Sequence, residues 1–570
     1  MMFSIKLTRN GRSRRGGPST RRVRTLIGVC ALTCVAAGCA RFFFPITRSS
    51  TTTTAAFRND GETLSFFTAV QVDPRSEDSA GPQFVTAGDL NGDGLIDLAS
   101  GWNETQPVQI HLQERSANNA ITFETVTLGG NVPIALIAGL GIADFDSDGR
   151  NDVVVLVKDK GGGGLCRTTG EPILDASTGV IVIYFGPASP LDAANPLAWQ
   201  DVELPNSLAQ GSAPGELPEE GGYTSLAVGD IDGVNGPDLL VAFNPTGCDG
   251  EGGQIDIYDN PGAAAARTGG EWTPTSVYVG DAINSPDDPP RDMEIKDVAL
   301  SDVDRDGDLD IIATLPSSAS LNVRWFRNPR LDVPDEYHVS DGAWHMGVIG
   351  QIATGADAIS VGDLDQDGIA DVVIRSTGGM VIQWLQGPRF PTTAPVRNIP
   401  WRVYTLAEFR DRVPLALSTG DVTGDGRLDV VTSAGGALVF FSTGSIPDVY
   451  DQWWENLVVD EGATDTGGGT GATGIGTTTT PTTGATGTGA TGSGATGTEP
   501  VSAGPPTTDP GVLGSTLETE PTMINTLLVV DLDGDGDQDI IGTLDRQGHS
   551  GLSNDALIWY RNNRRTLASP

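Results

Sequence analysis

The stretch DVDRDGDLDIIATL, Asp302 to Leu315, sets five aspartates in a nine-residue loop, four of them at the recurring positions 1, 3, 5 and 9, and follows them at once with a short apolar run. Counting from Asp302, oxygen donors stand at positions 1, 3 and 5, Gly307 at position 6 permits a tight turn, and a backbone carbonyl at 7 and a carboxylate at 9 complete a shell suited to Ca²⁺. The pattern recurs as DLNGDGLID from Asp89, DFDSDGRND from Asp144, DIDGVNGPD from Asp230, DLDQDGIAD from Asp363, DVTGDGRLD from Asp421 and DLDGDGDQD from Asp531. Asp-Gly clusters make turns without any metal, because Asp caps its own backbone and Gly supplies positive φ. Turn chemistry does not account for several oxygen-bearing positions held in one register, where uncompensated carboxylates would repel one another. The Asp230 copy departs from the rest, with Val234 at position 5 and Gly236 one residue late, and its occupancy stays open.

These loops are not EF-hands. An EF-hand needs a bidentate Glu at position 12 between two helices, and that position holds Ser100, Val155, Ala313, Ile374, Thr432 or Gly542 in six copies. Position 9 instead opens a β run, such as DVVVLV from Asp152 or DVVIRS from Asp371. Two further strands recur in order after each loop: an aromatic one (IVIYFGP from Ile181, VRWFRNP from Val323, LIWYRNN from Leu557) and one opened by a bulky aromatic (Phe123, Trp199, Trp272, Trp344, Trp401, Trp454). The spacing predicts an all-β fold, a seven-bladed β-propeller of four-stranded blades with an Asp-rich calcium loop between strands 1 and 2. After the last loop only two strands remain, so residues 63–73, with Phe67, Val70 and Val72 at the recurring spacing, are expected to supply the missing strand and close the ring.

The pattern resembles the FG-GAP repeats of integrin α-subunit N-terminal propellers and the related VCBS-type repeats of bacterial surface proteins. The resemblance implies calcium ligands at Asp89, Asn91, Asp93 and Asp97; Asp144, Asp146, Asp148 and Asp152; and Asp302, Asp304, Asp306 and Asp310. It implies likewise Asp363, Asp365, Asp367 and Asp371; Asp421, Thr423, Asp425 and Asp429; and Asp531, Asp533, Asp535 and Asp539, with Asp230, Asp232 and Asp238 in the irregular copy. About six or seven Ca²⁺ ions per chain are expected.

Acidic residues outnumber basic ones 74 to 35 in 570 residues, for a net charge of −39. Lys6, Arg9, Arg12, Arg14, Arg15, Arg21, Arg22 and Arg24 lie before residue 39, where there is no acid, so the remainder is more acidic still. Such a field repels phosphate backbones and anionic headgroups, which excludes nucleic acid as a partner and favours divalent cations. The basic run leads into the uncharged stretch TLIGVCALTCVAAGC, Thr25 to Cys39, a signal-peptide core whose end resembles the lipobox of bacterial lipoproteins. That resemblance implies lipidation of Cys39 and attachment to the membrane through the lipid alone. Cys166 and Cys248 then remain as an even pair in an oxidising compartment, and a disulfide is expected between them. The expected organisation is a signal peptide over 1–39, a Ser/Thr-rich tether over 40–60, the propeller over 61–460 and 521–565, and a Gly/Thr-rich insertion over 461–520 that cannot bury a core.

His111, His338, His345 and His549 form no metal-spaced pair and read as surface or edge-strand residues, and no P-loop, HExxH or GxSxG context appears. The expected function is a non-catalytic calcium-binding propeller of the cell envelope, at the outer membrane or cell surface, or else secreted. It would act as a monomer that binds a glycan or protein ligand at the cell surface. A lyase or glycosidase acting on polysaccharide from the same scaffold is the alternative. The long connections, including those with Cys166 and Cys248, should gather on the face opposite the calcium loops, which is the expected binding face.

Overall fold

The computed structural model describes the strands and acidic loops between residues 52 and 564; residues 1–51, 75–81, 103–107, 130–135, 160–163, 166–171, 174–178, 206–220, 246–250, 282–294, 315–322, 331–343, 389–400, 410–412, 444–452, 461–522, 546–555, 565–570 and a few shorter turns lie outside the described residues. The leader, Cys39, both candidate disulfide cysteines and the Gly/Thr-rich insertion therefore fall outside them, as do His338 and His549.

Residues Arg48–Pro570 form one compact unit, and in it seven antiparallel sheets of four or more strands succeed one another along the chain. Blade 1 is Pro82–Gly88, Asp97–Trp102, Val108–Arg115 and Ile121–Thr127; blade 2 is Leu136–Ala143, Asp152–Asp159, Val180–Phe185 and Gln200–Glu203. Blade 3 is Gly221–Gly229, Asp238–Pro245, Glu251–Asp259 and Thr273–Asp281; blade 4 is Asp297–Ser301, Asp310–Thr314, Val323–Arg327 and His345–Gly350. Blade 5 is Ala358–Gly362, Asp371–Ser376, Val381–Gln386 and Arg402–Glu408, and blade 6 is Pro414–Gly420, Asp429–Ala434, Ala437–Thr443 and Trp453–Asp460. Blade 7 begins with Met523–Val530, Asp539–Asp545 and Ala556–Asn562.

The fourth strand of blade 7 is Phe67–Pro74, antiparallel to Ala556–Asn562, with Val70 opposite Trp559. This is the segment the Phe-Val-Val spacing pointed to, begun four residues later than residue 63. Glu62–Thr63 pairs instead with Arg58–Asn59 in a separate small sheet. Thr52–Thr54, read from sequence as tether, adds a fifth strand against Thr68–Val70.

Strand 2 explains why the blades stack. Its side chains alternate between two neighbours, so both faces are buried and the run is mostly apolar. Val153, Val155 and Val157 join the core shared with blade 1, which includes Ile110 and Leu112, while Val154 and Leu156 join Leu239 and Val241 of blade 3. A core of this kind fills every interface, the last one setting Val72, Leu532 and Trp559 of blade 7 against Val85 and Leu98 of blade 1. The first strands touch in sequence around the molecule, from Pro82–Gly88 through each blade to Met523–Val530 and back. They line the axis, and the crowding there shows at Gly420, where an added Cβ would come within 2.3 Å of Val529. Pairing, core and contacts together support a ring joined by the N-terminal strand.

Candidate metal centres

All seven acidic loops lie at the same end of the sheets, between strands 1 and 2. Each turns through two left-handed residues. Position 4 is Gly92, Ser147, Gly233, Arg305, Gln366, Gly424 or Gly534, and Gly stands at position 6 in the six regular copies, all at positive φ. In the irregular copy Asn235 (φ 67°) and Gly236 (φ 105°) take the second bend, which accommodates the glycine's one-residue delay within the same nine-residue loop. The first aspartate accepts from the position-6 amide, as in Gly94 N–H to Asp89 (2.9 Å), Gly149 to Asp144 (2.8 Å) and Gly368 to Asp363 (2.7 Å). Gly426 to Asp421 (2.7 Å) and Gly536 to Asp531 (2.9 Å) repeat the bond. This fixes the first carboxylate over the loop.

The position-9 aspartates are among the most buried acids in the chain: Asp97, Asp152, Asp238, Asp310 and Asp539 are fully enclosed. Each spends its two oxygens on backbone donors. Asp310 accepts from Val303 N–H (3.1 Å) and Asn328 N–H (2.8 Å), and Asp97 from Leu90 (2.8 Å) and Gln113 (2.7 Å). Burial pushes the carboxyls of Asp310, Asp371 and Asp539 up to about 8 and those of Asp97, Asp152 and Asp429 up to about 7, against the lowering effect of these amides. Position 9 therefore ties the loop to the end of strand 3 as well as facing the cation site. Sequence spacing pointed to the second role and missed the first, because the donor lies sixteen or more residues further on.

Three carboxylates converge within 4.8 Å in five loops: Asp144, Asp146 and Asp152; Asp230, Asp232 and Asp238; Asp302, Asp304 and Asp306; Asp363, Asp365 and Asp371; Asp531, Asp533 and Asp535. The irregular loop thus keeps its acidic cluster, although Val234 at its position 5 is exposed. Loops 1 and 6, with Asn91 and Thr423 at position 3, retain Asp89, Asp93 and Asp97, and Asp421, Asp425 and Asp429. The donor set fits a hard divalent cation. All the side-chain donors are oxygens, and in loop 4 Oδ1 of Asp302 and Oδ1 of Asp304 are buried without a hydrogen-bond partner. A bound Ca²⁺ would supply charge neutralisation and a bridge across the loop.

A second set of side chains, not foreseen from sequence, joins one loop to the next. Asn562 Nδ2 donates to its own loop at Gln538 O (3.0 Å) and to Val422 O of the preceding loop (2.8 Å). Asn328 does the same for Leu309 O and Ile231 O, Asn260 for Pro237 O and Phe145 O, and Gln113 for Ile96 O and Leu532 O. The recurring Asn after the aromatic strand was the visible signal. Its partner, a carbonyl in another blade, was not readable from the repeat.

His111 sits in the third strand of blade 1 and is buried, contrary to the surface reading. One ring nitrogen meets Ser100 Oγ (2.8 Å) and the other Thr125 Oγ1 (2.9 Å), and Trp102 Nε1 donates to the same Ser100 Oγ (2.7 Å). The serine is enclosed with it, so this chain of polar groups satisfies a core and presents no nucleophile. Among the described residues no helix is long and apolar enough to cross a membrane.

No curated protein matches the chain. Solved structures with a similar course include BBS1N in complex with ARL6DN (12% identity, 86% of this chain and 96% of that chain, TM-score 0.40). An Agrocybe aegerita lectin that recognises non-reducing terminal N-acetylglucosamine aligns at 12% identity over 68% of this chain and 81% of its own, with a TM-score of 0.36. A Bacillus licheniformis rhamnogalacturonan lyase aligns at 13% over 68% and 69%, with a TM-score of 0.31. Residues 89–155 and 302–374, which take in loops 1, 2, 4 and 5, match the family described as FG-GAP-like repeat. The chain is a seven-bladed β-propeller, four of whose acidic loops lie in segments that match FG-GAP-like repeats.

Proposed function

We propose that this protein is an exported calcium-binding propeller that serves as a non-catalytic binding module at the cell envelope, held there by a lipid on Cys39. The observation that carries the calcium part is the convergence of three carboxylates within 4.8 Å in each of five loops. Uncompensated, such groups repel, and the surrounding amides and arginines offset only part of that repulsion. The export part rests on the leader and its Cys39, and the binding part on a rigid ring with long connections between its blades. The partner is a glycan or protein displayed outside the cell, since the net charge of −39 disfavours polyanions.

The deciding experiment is thermal unfolding of the purified chain in millimolar Ca²⁺ and after chelation. Ligand linkage contributes about 2.7 kcal/mol per site at a hundredfold excess over the dissociation constant, so several filled sites raise the melting temperature by many degrees. Equal melting curves would end the calcium reading. Saturable glycan binding without product release supports the module, and release of new reducing ends would replace it with a polysaccharide-active enzyme.

A further inference from the structure

Seven copies of one loop in a single chain allow each to be compared with the rest. In blades 2, 3, 4, 5 and 7 the residue just before the amide that caps position 9 lies in the last two positions of strand 3, and in blades 4, 5 and 7 it reaches position 3 of the loop. In blade 4 this residue is Arg327, which pairs with Asp304 and lies 3.5 Å from Asp306. In blade 7 it is Arg561, 2.5 Å from Asp533 and stacked 5.6 Å over the Trp559 ring. Blade 2 ends strand 3 on Phe185, and there Arg267 comes across from blade 3, lies 5.0 Å over that ring, pairs with Asp146 and reaches Asp148 at 3.2 Å. Two different routes thus deliver a guanidinium to the same place.

Its presence tracks the acid count. Loops 4 and 7 carry five aspartates each, with Asp308 and Asp537 added at position 7, and both are met by an arginine of their own strand 3. Loop 2 carries four and borrows Arg267, while loop 5, also with four, is met by neutral Gln386 at 2.5 Å from Asp365. Loops 1 and 6 carry three, and the residues at the same register are Leu112 and Ser442. Loop 3, which lost its position-5 acid to Val234, has an additional acid at this position, Asp259, whose carboxyl is raised by burial and by Asp232. Arg150 and Arg427, at position 7 of loops 2 and 6, pair with the position-5 aspartates within their own loops.

We propose that Arg327, Arg561 and Arg267 are internal counter-cations: they hold the most acidic loops in shape before metal arrives, and they make loops 4, 7 and 2 a weaker class of calcium site than the same loops would be without them. The inference rests on the calcium reading above. Arg327 engages only Oδ2 of Asp304, so the arginine leaves the buried Oδ1 for a metal. A fixed positive charge within about 4 Å of a ligand opposes a divalent ion directly, and a neutral amide of similar size removes that opposition.

The test compares the full chain with Arg327→Gln, Arg561→Gln and the charge-preserving Arg327→Lys, by melting in chelator and by calorimetric titration with CaCl₂. Both Gln variants should melt below wild type in chelator and should bind calcium about tenfold tighter at one site, and the Lys variant should return both readings toward wild type. Gln variants that take up calcium no more tightly than wild type would overturn the assignment while leaving the calcium reading intact. A wild-type chain that takes up no calcium would bring down the calcium reading, and this inference with it.

Discussion

Asp93 and Asp97 stand four residues apart in the first loop and do different work. Asp93 is exposed and caps its own turn at Leu95 N–H, whereas Asp97 is enclosed and holds two backbone amides, one from its own loop and one from strand 3. Replacing Asp97 by Ala would orphan both amides at about 1–3 kcal/mol each. Urea unfolding in chelator should therefore show a loss of about 3 kcal/mol for Asp97→Ala and less than about 1 kcal/mol for Asp93→Ala. The difference closes in the calcium-dependent part of the stability, where Asp93→Ala should remove the gain from that loop as fully as Asp97→Ala does, although it hardly moves the metal-free protein. At this scale the sequence disclosed which residues matter, because an oxygen at every second position is a ligand pattern. It did not disclose that position 9 is also a hydrogen-bond anchor, since that depends on where strand 3 ends.

The elements were legible for a related reason. Strand 2 is mostly apolar because it is buried on both faces, and in blades 2 and 3 the outer strand follows a tryptophan whose anchoring is local: Trp199 Nε1 donates to Ala193 O and Trp272 Nε1 to Ala266 O, both at 3.0 Å. Signals of this kind repeat with the blade and can be read from one blade alone. The amide links between loops cannot, because each spans two blades. Asn562→Ala would leave the carbonyls of Val422 and Gln538 without that donor, and we expect a loss of about 1–2 kcal/mol by denaturant unfolding, in calcium and in chelator alike. Asn562→Asp, which keeps the shape but exchanges the donor for a charge beside buried Asp539, should be worse than Ala in the same measurement.

For the whole ring, the decisive contact is the one between its two ends. Removing residues 40–80 takes away Phe67–Pro74, exposes the edge of Ala556–Asn562 and strips Val72 from the core between blades 7 and 1. Melting followed by circular dichroism should drop well below that of the full chain, and a truncated protein that melts unchanged would rule out the N-terminal strand as the joint. Exchanging 461–522 for a short Gly-Ser linker should shift the same melt little, because the entropy of closing a flexible loop grows only slowly with its length. The ring also sets a timetable. Thr68 and Asn563, bonded at 2.9 Å, are 495 residues apart along the chain, so at 5–20 residues per second the first strand waits roughly half a minute to a minute and a half for its partner to be made. Throughout that interval the side of Phe67–Pro74 that Ala556–Asn562 will take is an open edge, and the clasp of the ring is the last part of it that can close.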